Sequence, residues 1–400
     1  MSEETEAVTS AEAVAGAEAV ALKEIFDESI ANESIAKEAA AFYGDTLRRA
    51  QTMFGYPSNN VRLSPLTQYL LRLHYAAPFS NNCGDIEERG NYSLDTKDVE
   101  RKIVHFYAEK FGMGDSAWGY VTSGGSESNS CGIALAFNKF PNGVVYYSQD
   151  AHYSVEKAAK NHRHVAIPTK ARDRLDLDAL FAEILKNFEK DGSPANLVLT
   201  HGTTKYGECD DVDSIVEFLN KHNIPRYIHL DAALFGGIPN NQMNAPLIQN
   251  AKARGIDSVC VSMHKYLGFP DVRSVFVATE KPVSQTVAYI GQRDTTVSGS
   301  RSIPAYALFN HIIEQEQGQN PLSYEKNILF FEGLLREKGI EFYRAPLSNI
   351  FVINKPSDEI CKRFQLSCFF DYGYGEKELA HIIIFPSHTE QCMQEIIKAL

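Results

Sequence analysis

No stretch of this chain holds about 18 consecutive apolar residues, the minimum for a membrane-crossing helix. No Cys-x-x-Cys pair occurs among its seven cysteines, at positions 83, 131, 209, 260, 361, 368 and 392, and so scattered and odd a set frames neither a disulfide scaffold nor a zinc site. Reduced thiols in a cytoplasmic compartment are expected. An excess of positive charge is missing as well: 39 Lys and Arg face 51 Asp and Glu, a net charge of -12, which argues against a nucleic-acid surface and offers nothing to an anionic membrane. The start, MSEETEAV, is acidic where a secretory or mitochondrial leader is basic. These absences leave small-molecule chemistry in solution.

What is present is an ordinary globular composition, 44% hydrophobic and 22% charged over 400 residues, enough for one large domain and a smaller one. Residues 1–20, rich in Ala and Glu, read as a disordered or frayed tail. From residue 21 apolar side chains recur at helical spacing (Leu22, Ile25, Phe26, Ile30, Ile35, Phe42, Leu47) until Gly55-Tyr56-Pro57, which predicts an N-terminal helical arm over 21–60. Its apolar face is to be covered by a partner subunit or by the chain's own domain. Residues 63–95 carry no clear period and read as an irregular segment, and a helix is expected over 96–111.

Short apolar strands then alternate with helices, the pattern of a largely parallel sheet wound with helices on both faces. Gly119 to Asn129 reads strand, glycine turn, helix start, so the N–H groups of Ser123, Gly124, Gly125 and Ser126 either cradle a phosphate or form a tight turn capped by Ser126 or Ser128. The spacing is neither a P-loop nor a dinucleotide fingerprint. His152 and Thr203 follow the strands at 143–148 and 196–200, and Asp231 ends the strand that starts at Tyr227, all at the carboxyl edge where α/β sheets bind ligands. Lys265 follows the strand Val259-Cys260-Val261. It is either a surface lysine or a Schiff-base lysine for an aldehyde cofactor. An amine, a carboxylate, a phosphate cradle and an imidazole on one rim are the parts that pyridoxal phosphate requires.

At this point a resemblance is evident. Asn81 to Asp85, Gly119 to Asn129, Tyr147 to Ser154, Gly202 to Thr204, His229 to Ala233, Ser262 to Lys265 and Thr296 to Arg301 stand in the order found in group II pyridoxal-phosphate-dependent amino-acid decarboxylases. Within that group the chain most resembles the short histidine decarboxylases and their serine decarboxylase relatives. The resemblance covers roughly residues 55 to 305. It implies the fold type I, PLP-dependent transferase-like architecture: an α/β large domain with a largely parallel seven-stranded sheet over 61–304, and a small α+β domain over 305–400.

The same resemblance implies residue roles. Lys265 would bind the cofactor covalently, Asp231 would hold the pyridinium proton, His152 would stack on one face of the ring, and Ala233 would leave space on the other. Ser123, Gly124, Gly125, Ser126, Ser262 and His264 would bind the phosphate, and Thr203 would lie beside the ring hydroxyl. The segment of Ser298 and Gly299 would reach a neighbouring subunit's site, making a homodimer the expected assembly. Tyr289 is the candidate general acid, and Tyr372 to Tyr374 a candidate substrate loop.

The expected reaction is decarboxylation of L-histidine or another polar L-amino acid. Transamination, β-lyase chemistry, oxidative conversion to an aldehyde or a non-catalytic role remain as alternatives. Two departures stand out: Met263 where the family has glycine, and the turn Phe269 to Arg273. Met263 is expected to reshape the neighbouring pocket, and Arg273 is either a carboxylate partner or a solvated residue.

Overall fold

The computed structural model describes residues 33–50, 52–76, 80–318, 320–371 and 377–400. The expected N-terminal tail and the candidate loop Tyr372 to Tyr374 lie outside them. Helix α1 (Glu33–Ala50) lies in a unit of its own ending at Met53, and everything from Phe54 onward forms a second compact unit. Within the arm expected over 21–60, the described helix is Glu33–Ala50, and its Ile35, Phe42, Tyr43 and Leu47 are all more than half exposed.

The second unit is built on a seven-stranded sheet. Its strands are β1 (Trp118–Thr122), β2 (Val144–Ser148), β3 (His164–Ile167), β4 (Ala195–Thr200), β5 (Arg226–Asp231), β6 (Ser258–Ser262) and β7 (Ser274–Ala278), in the order β1-β7-β6-β5-β4-β2-β3. β3, β2, β4, β5 and β6 run parallel, while β7 is antiparallel to both β6 and β1. Strands β1, β2, β4, β6 and β7 are buried along their whole length, which is why they read as continuous apolar runs rather than alternating ones.

The segment expected to be irregular holds helix α2 (Pro65–Ala76). Ser64 caps it, its hydroxyl accepting from Thr67 N at 3.1 Å, and Pro65 fits the first helical position. Its period is hidden because the helix is apolar all round: Leu70 and Leu71 pack on the core while Leu66, Tyr69 and Leu73 are exposed. Helix α3 (Lys97–Phe111) falls where expected and buries Val99, Ile103, Val104, Tyr107 and Phe111. It ends at Gly112, whose φ of 66° is the left-handed cap that glycine adopts freely.

Helices α4 (Gly125–Lys139), α5 (Tyr153–Ala159), α6 (Leu177–Asp191) and α7 (Val212–Lys221) supply the crossovers of the sheet. After it come α8 (Ala305–Gly318) and α9 (Ser323–Glu337), then an antiparallel sheet of β8 (Phe342–Tyr343), β9 (Ile350–Asn354), β10 (Ser367–Asp371) and β11 (Lys377–Ile383) in the order β8-β9-β11-β10. Two further helices complete this part, α10 (Asp358–Arg363) and α11 (Glu390–Ala399). The boundary expected at residue 304 falls ahead of α8, yet Ala305, Leu308 and Ile312 of α8 pack in the same core as the seven-stranded sheet. A second core gathers α9, β9 and β11 with Phe54, Tyr206 and Tyr266. Among the described residues, no helix is long and apolar enough to cross a membrane.

One hairpin between β3 and α6 carries strain. Arg172 and Asp173 are consecutive non-glycine residues with φ of 69° and 56°, conformations that cost side-chain-bearing residues free energy. They are held from outside: Lys205 Nζ binds Asp150 at 2.6 Å and Asp173 at 3.3 Å, and the Arg172 guanidinium lies 3.8 Å over the Tyr343 ring. Burial pushes the Asp173 carboxyl up from 3.8 to about 7 against the opposing pull of Lys205. Below pH about 4 folded and unfolded chains both hold this proton. As pH rises from about 4 to 7 the unfolded chain releases it first, so the stability contributed by Asp173 is lost across that window and stays lost above it. Asp173→Asn should flatten this fall, by up to about 3 kcal/mol between pH 5 and pH 8 at about 1.4 kcal/mol per pK unit, as read from urea unfolding at the two pH values.

Candidate active site

Five strand ends converge on one cavity of about 930 Å³. Ser123, Gly124, Gly125 and Ser126 follow β1, His152 follows β2, Thr203 follows β4, Asp231 ends β5 with Ala233 just beyond, and Ser262 ends β6 with His264 and Lys265 after it. All eleven line the cavity. Tyr289, Ser298 and Gly299 do not. Tyr289 is 73% exposed on the turn between Thr286–Val287 and Gln292–Arg293, where Asn91 Nδ2 donates to its carbonyl. Ser298 instead binds Glu127, its hydroxyl 2.8 Å from Oε1.

The backbone around Lys265 is pinned. Its carbonyl accepts from Asn59 N at 2.9 Å and Gly268 N at 3.1 Å, and Asn59 Nδ2 donates to the Tyr266 carbonyl at 2.9 Å. Gly268 has a φ of 70°, and a Cβ there would stand 2.1 Å from the Asn59 carbonyl oxygen, so only glycine lets the two segments approach. Burial lowers the pKa of the Lys265 ammonium, with Asp231 pulling the other way. A larger share of neutral amine, the form that attacks an aldehyde, is the consequence.

Asp231 is held as an acceptor on both oxygens: Ala233 N donates to Oδ1 at 3.1 Å and Asn129 Nδ2 to Oδ2 at 2.8 Å. Asn129, buried in the second turn of α4, is the centre of a chain of bonds. Its other Nδ2 bond, 3.0 Å, goes to Ser154 Oγ, which lies 2.8 Å from His152 Nδ1. Its Oδ1 takes the proton of His229 Nε2 at 3.0 Å, and His229 Nδ1 meets Ser258 Oγ at 2.9 Å. Because Ser154 Oγ accepts from Asn129, its hydrogen is free for His152 Nδ1, which leaves the ring proton of neutral His152 on Nε2. Burial, then Lys265, lowers the pKa of His152, and burial brings His229 down to about 4. Gly132 makes room for this arrangement, since a Cβ there would stand 2.4 Å from the His229 ring.

At the start of α4 the first helical N–H groups have no carbonyl partner a turn earlier and meet the positive end of the helix dipole. A Cβ at Gly125 would lie 3.3 Å from Ser262 Oγ, so glycine keeps open the gap between this turn and the end of β6. Ser123 also shapes this turn: its N–H, at 2.9 Å, and its hydroxyl, at 2.6 Å, both donate to Glu127 Oε2. Burial raises the pKa of Glu127, but these bonds and those from Ser298 and Tyr120 outweigh it and leave it lowered.

The departures from the family pattern resolve differently from expectation. Met263 is fully buried in the main core with its Sδ 3.6 Å from Tyr107 Oη, and it does not line the cavity. Its extra volume is taken up by the core rather than the pocket. Arg273 pairs with Asp271 at 2.8 Å and also stays out of the cavity, leaving Val272 as the residue of that turn which lines it. Asn129 is a site residue beyond those expected from the sequence, and its one local signal is its position three after Ser126, which puts both on one face of α4. The wall supplied by α10, β10 and His381 has no local signal in the sequence.

The donors fit pyridoxal phosphate: an amine on Lys265, an acceptor carboxylate on Asp231, and an anion cradle kept open by Gly125. A family model for the pyridoxal-dependent decarboxylase conserved domain matches residues 98–302. The chain belongs to the pyridoxal-dependent decarboxylase family. Serine decarboxylase 2 of Oryza sativa subsp. japonica is 33% identical over 382 residues, covering 92% of this chain and 78% of that one. Histidine decarboxylase of Pseudomonas entomophila (strain L48) is 34% identical over 372 residues, covering 88% and 86%. The solved structure of L-methionine decarboxylase from Streptomyces sp. 590 has the same fold, with a TM-score of 0.79 at 20% identity over 94% of this chain and 96% of that one. This chain is accordingly a carboxy-lyase that uses pyridoxal phosphate to decarboxylate an amino acid.

Asn129→Leu keeps the side-chain size and removes the bonds to Asp231 and Ser154. Losing one hydrogen bond to a charged group, worth about 1.5–3 kcal/mol, should lower kcat about 10- to 100-fold in a chain whose circular dichroism is unchanged. Steady-state kinetics of the purified variant checks this.

Proposed function

We propose that this enzyme converts a polar L-amino acid, with histidine and serine the first candidates, to its amine and carbon dioxide. The observation that carries the reading is the shared cavity of Lys265 and Asp231, with Asp231 fixed as an acceptor by Asn129. The polar substrate is supported by the names of the two relatives aligned over most of the chain. Polar groups from outside the sheet, among them Lys355, Asp358, Gln365 and Ser367, also line the cavity.

In this reading Lys265 holds the aldehyde carbon of the cofactor, and Gly124, Gly125, Ser126, Ser262 and His264 hold its phosphate. Bound there, pyridoxal phosphate supplies a sink for the electron pair left when carbon dioxide departs. Asp231 accepts a proton-bearing ring nitrogen, and both of its oxygens are already oriented. His152 presents a neutral ring with its Nδ1 engaged, suited to stacking on a planar group. Ala233 adds only a methyl on the other face, and Thr203, buried with its Oγ1 accepting from Glu208 N at 3.1 Å, has its hydroxyl hydrogen to give to a ring oxygen. Lys265, when not holding the cofactor, would present a free amine to the same cavity.

We further propose a cytoplasmic homodimer. All seven cysteines are free thiols, as a reducing compartment favours. Leu66, Tyr69, Leu73, Val297 and Tyr306 expose apolar surface that a second copy would cover. Tyr289 and the segment of Ser298 and Gly299 then serve as contributors to the partner's cavity, Tyr289 as the acid that returns a proton to the α carbon.

Incubation with each common L-amino acid should give amine and carbon dioxide in equal amounts from one polar substrate. Release of ammonia with an aldehyde, or of a keto acid without carbon dioxide, would contradict the proposal. Lys265→Ala should lose turnover by at least about three orders of magnitude. For Asp231→Asn the expected loss is about 100-fold or more, the worth of one charge-assisted bond at the reacting group. Tyr289→Phe should slow amine formation without weakening cofactor binding, and unchanged kinetics would remove it as the acid.

A further inference from the structure

One pair among the free thiols is in direct contact. Cys361 on α10 and Cys368 on β10 have their sulfurs 3.3 Å apart, and both line the cavity that contains Lys265. The two differ in access: Cys361 is buried and Cys368 is exposed. Other contacts position them, with Cys361 Sγ 3.7 Å from the Pro356 carbonyl and Cys368 Sγ 3.8 Å from the Leu366 carbonyl.

We propose that Cys361 and Cys368 are a redox modification site, closing to a reversible disulfide in the cavity wall when the enzyme meets hydrogen peroxide. The sulfurs need to approach by about 1.2 Å to reach the bonded separation of about 2.05 Å. Only six residues separate the cysteines in sequence, and each sits at or near the end of its element, so the movement is local.

The chemistry balances with peroxide as the sole oxidant. The exposed Cys368 sulfur attacks one peroxide oxygen, the O–O bond breaks, and Cys368 becomes a sulfenic acid as the first water leaves. The Cys361 sulfur then attacks the Cys368 sulfur, the S–O bond breaks, and the second water carries off the remaining thiol hydrogen. Burial, together with the bond from the Cys368 thiol, pushes Cys361 up to about 11, so it stays protonated at neutral pH and acts second. A dithiol returns both thiols by exchange. Lys362, Gln365, Leu366 and Ser367, which lie between the two cysteines, line the cavity as well, so the bond would fix part of the wall that faces the substrate.

The holoenzyme is treated with hydrogen peroxide, unfolded, and its thiols counted. Two of the seven thiols should disappear and return with dithiothreitol, and the intact mass should fall by about 2 Da. Trypsin cuts after Lys362 and Arg363, between the two cysteines, so the disulfide should hold two peptides together until reduced. In Cys361→Ser, peroxide should instead leave a Cys368 sulfenic acid that dimedone traps. Seven remaining thiols in the wild type, or a disulfide joining any other pair, overturns the proposal. The count does not depend on turnover, so it stands or falls separately from the decarboxylase reading.

Discussion

The side-chain amide of Asn129 is the constraint on which the site depends. Its carbonyl oxygen can only accept and its nitrogen can only donate, so the proton of His229 Nε2 points in and the two amide hydrogens point out, one to Asp231 and one to Ser154. That polarity passes through Ser154 to His152. One amide thereby orients the carboxylate and the imidazole from a single buried position. The network has few free choices because every member except the half-buried His152 is enclosed where an unmade bond is costly. Gly132 is part of the same constraint, since α4 approaches β5 closely enough for Asn129 to reach only if no side chain stands against the His229 ring.

The sheet supplies the other half of the arrangement. Parallel strands deliver their carboxyl ends to one edge, and loops leaving that edge carry Ser126, His152, Thr203, Asp231 and Lys265 into one cavity. Lysine beside a core strand is disfavoured in ordinary packing, and here Asn59 and Gly268 fix its backbone while burial lowers its pKa. Asn81 to Asp85 and Thr296 to Arg301 meet around a buried ion pair. Asn82 Nδ2 donates to Glu100 at 2.7 Å, and Arg301 Nε lies 3.3 Å from the same carboxylate. Neither the pair nor Asn82 lines the cavity, so within one chain these motifs act on the scaffold.

Much of this arrangement is legible in the sequence. Buried parallel strands write themselves as short apolar runs, and polar residues immediately after them mark the functional edge, which is how Asp231 and Lys265 could be placed. What escaped detection depends on contacts between distant segments. Helix α2 was hidden because both of its faces are apolar. Asn129 looked like one polar residue among several in a helix start, and its importance comes from partners 25 and 102 residues away. Met263 looked like an intrusion into the pocket, yet its backbone turns the side chain toward Tyr107 and the core absorbs it. The contact of Cys361 with Cys368 depends on how the turn over residues 364–366 folds α10 back onto the start of β10, and no spacing rule announces it.

Borohydride treatment of the holoenzyme, followed by peptide mapping, tests the central claim most directly because it fixes the cofactor to whichever amine holds it. Reduced cofactor is expected on the peptide that contains Lys265, with loss of the visible absorbance of the protein. Label on a different lysine, or a cofactor that washes away unlabelled, would contradict it.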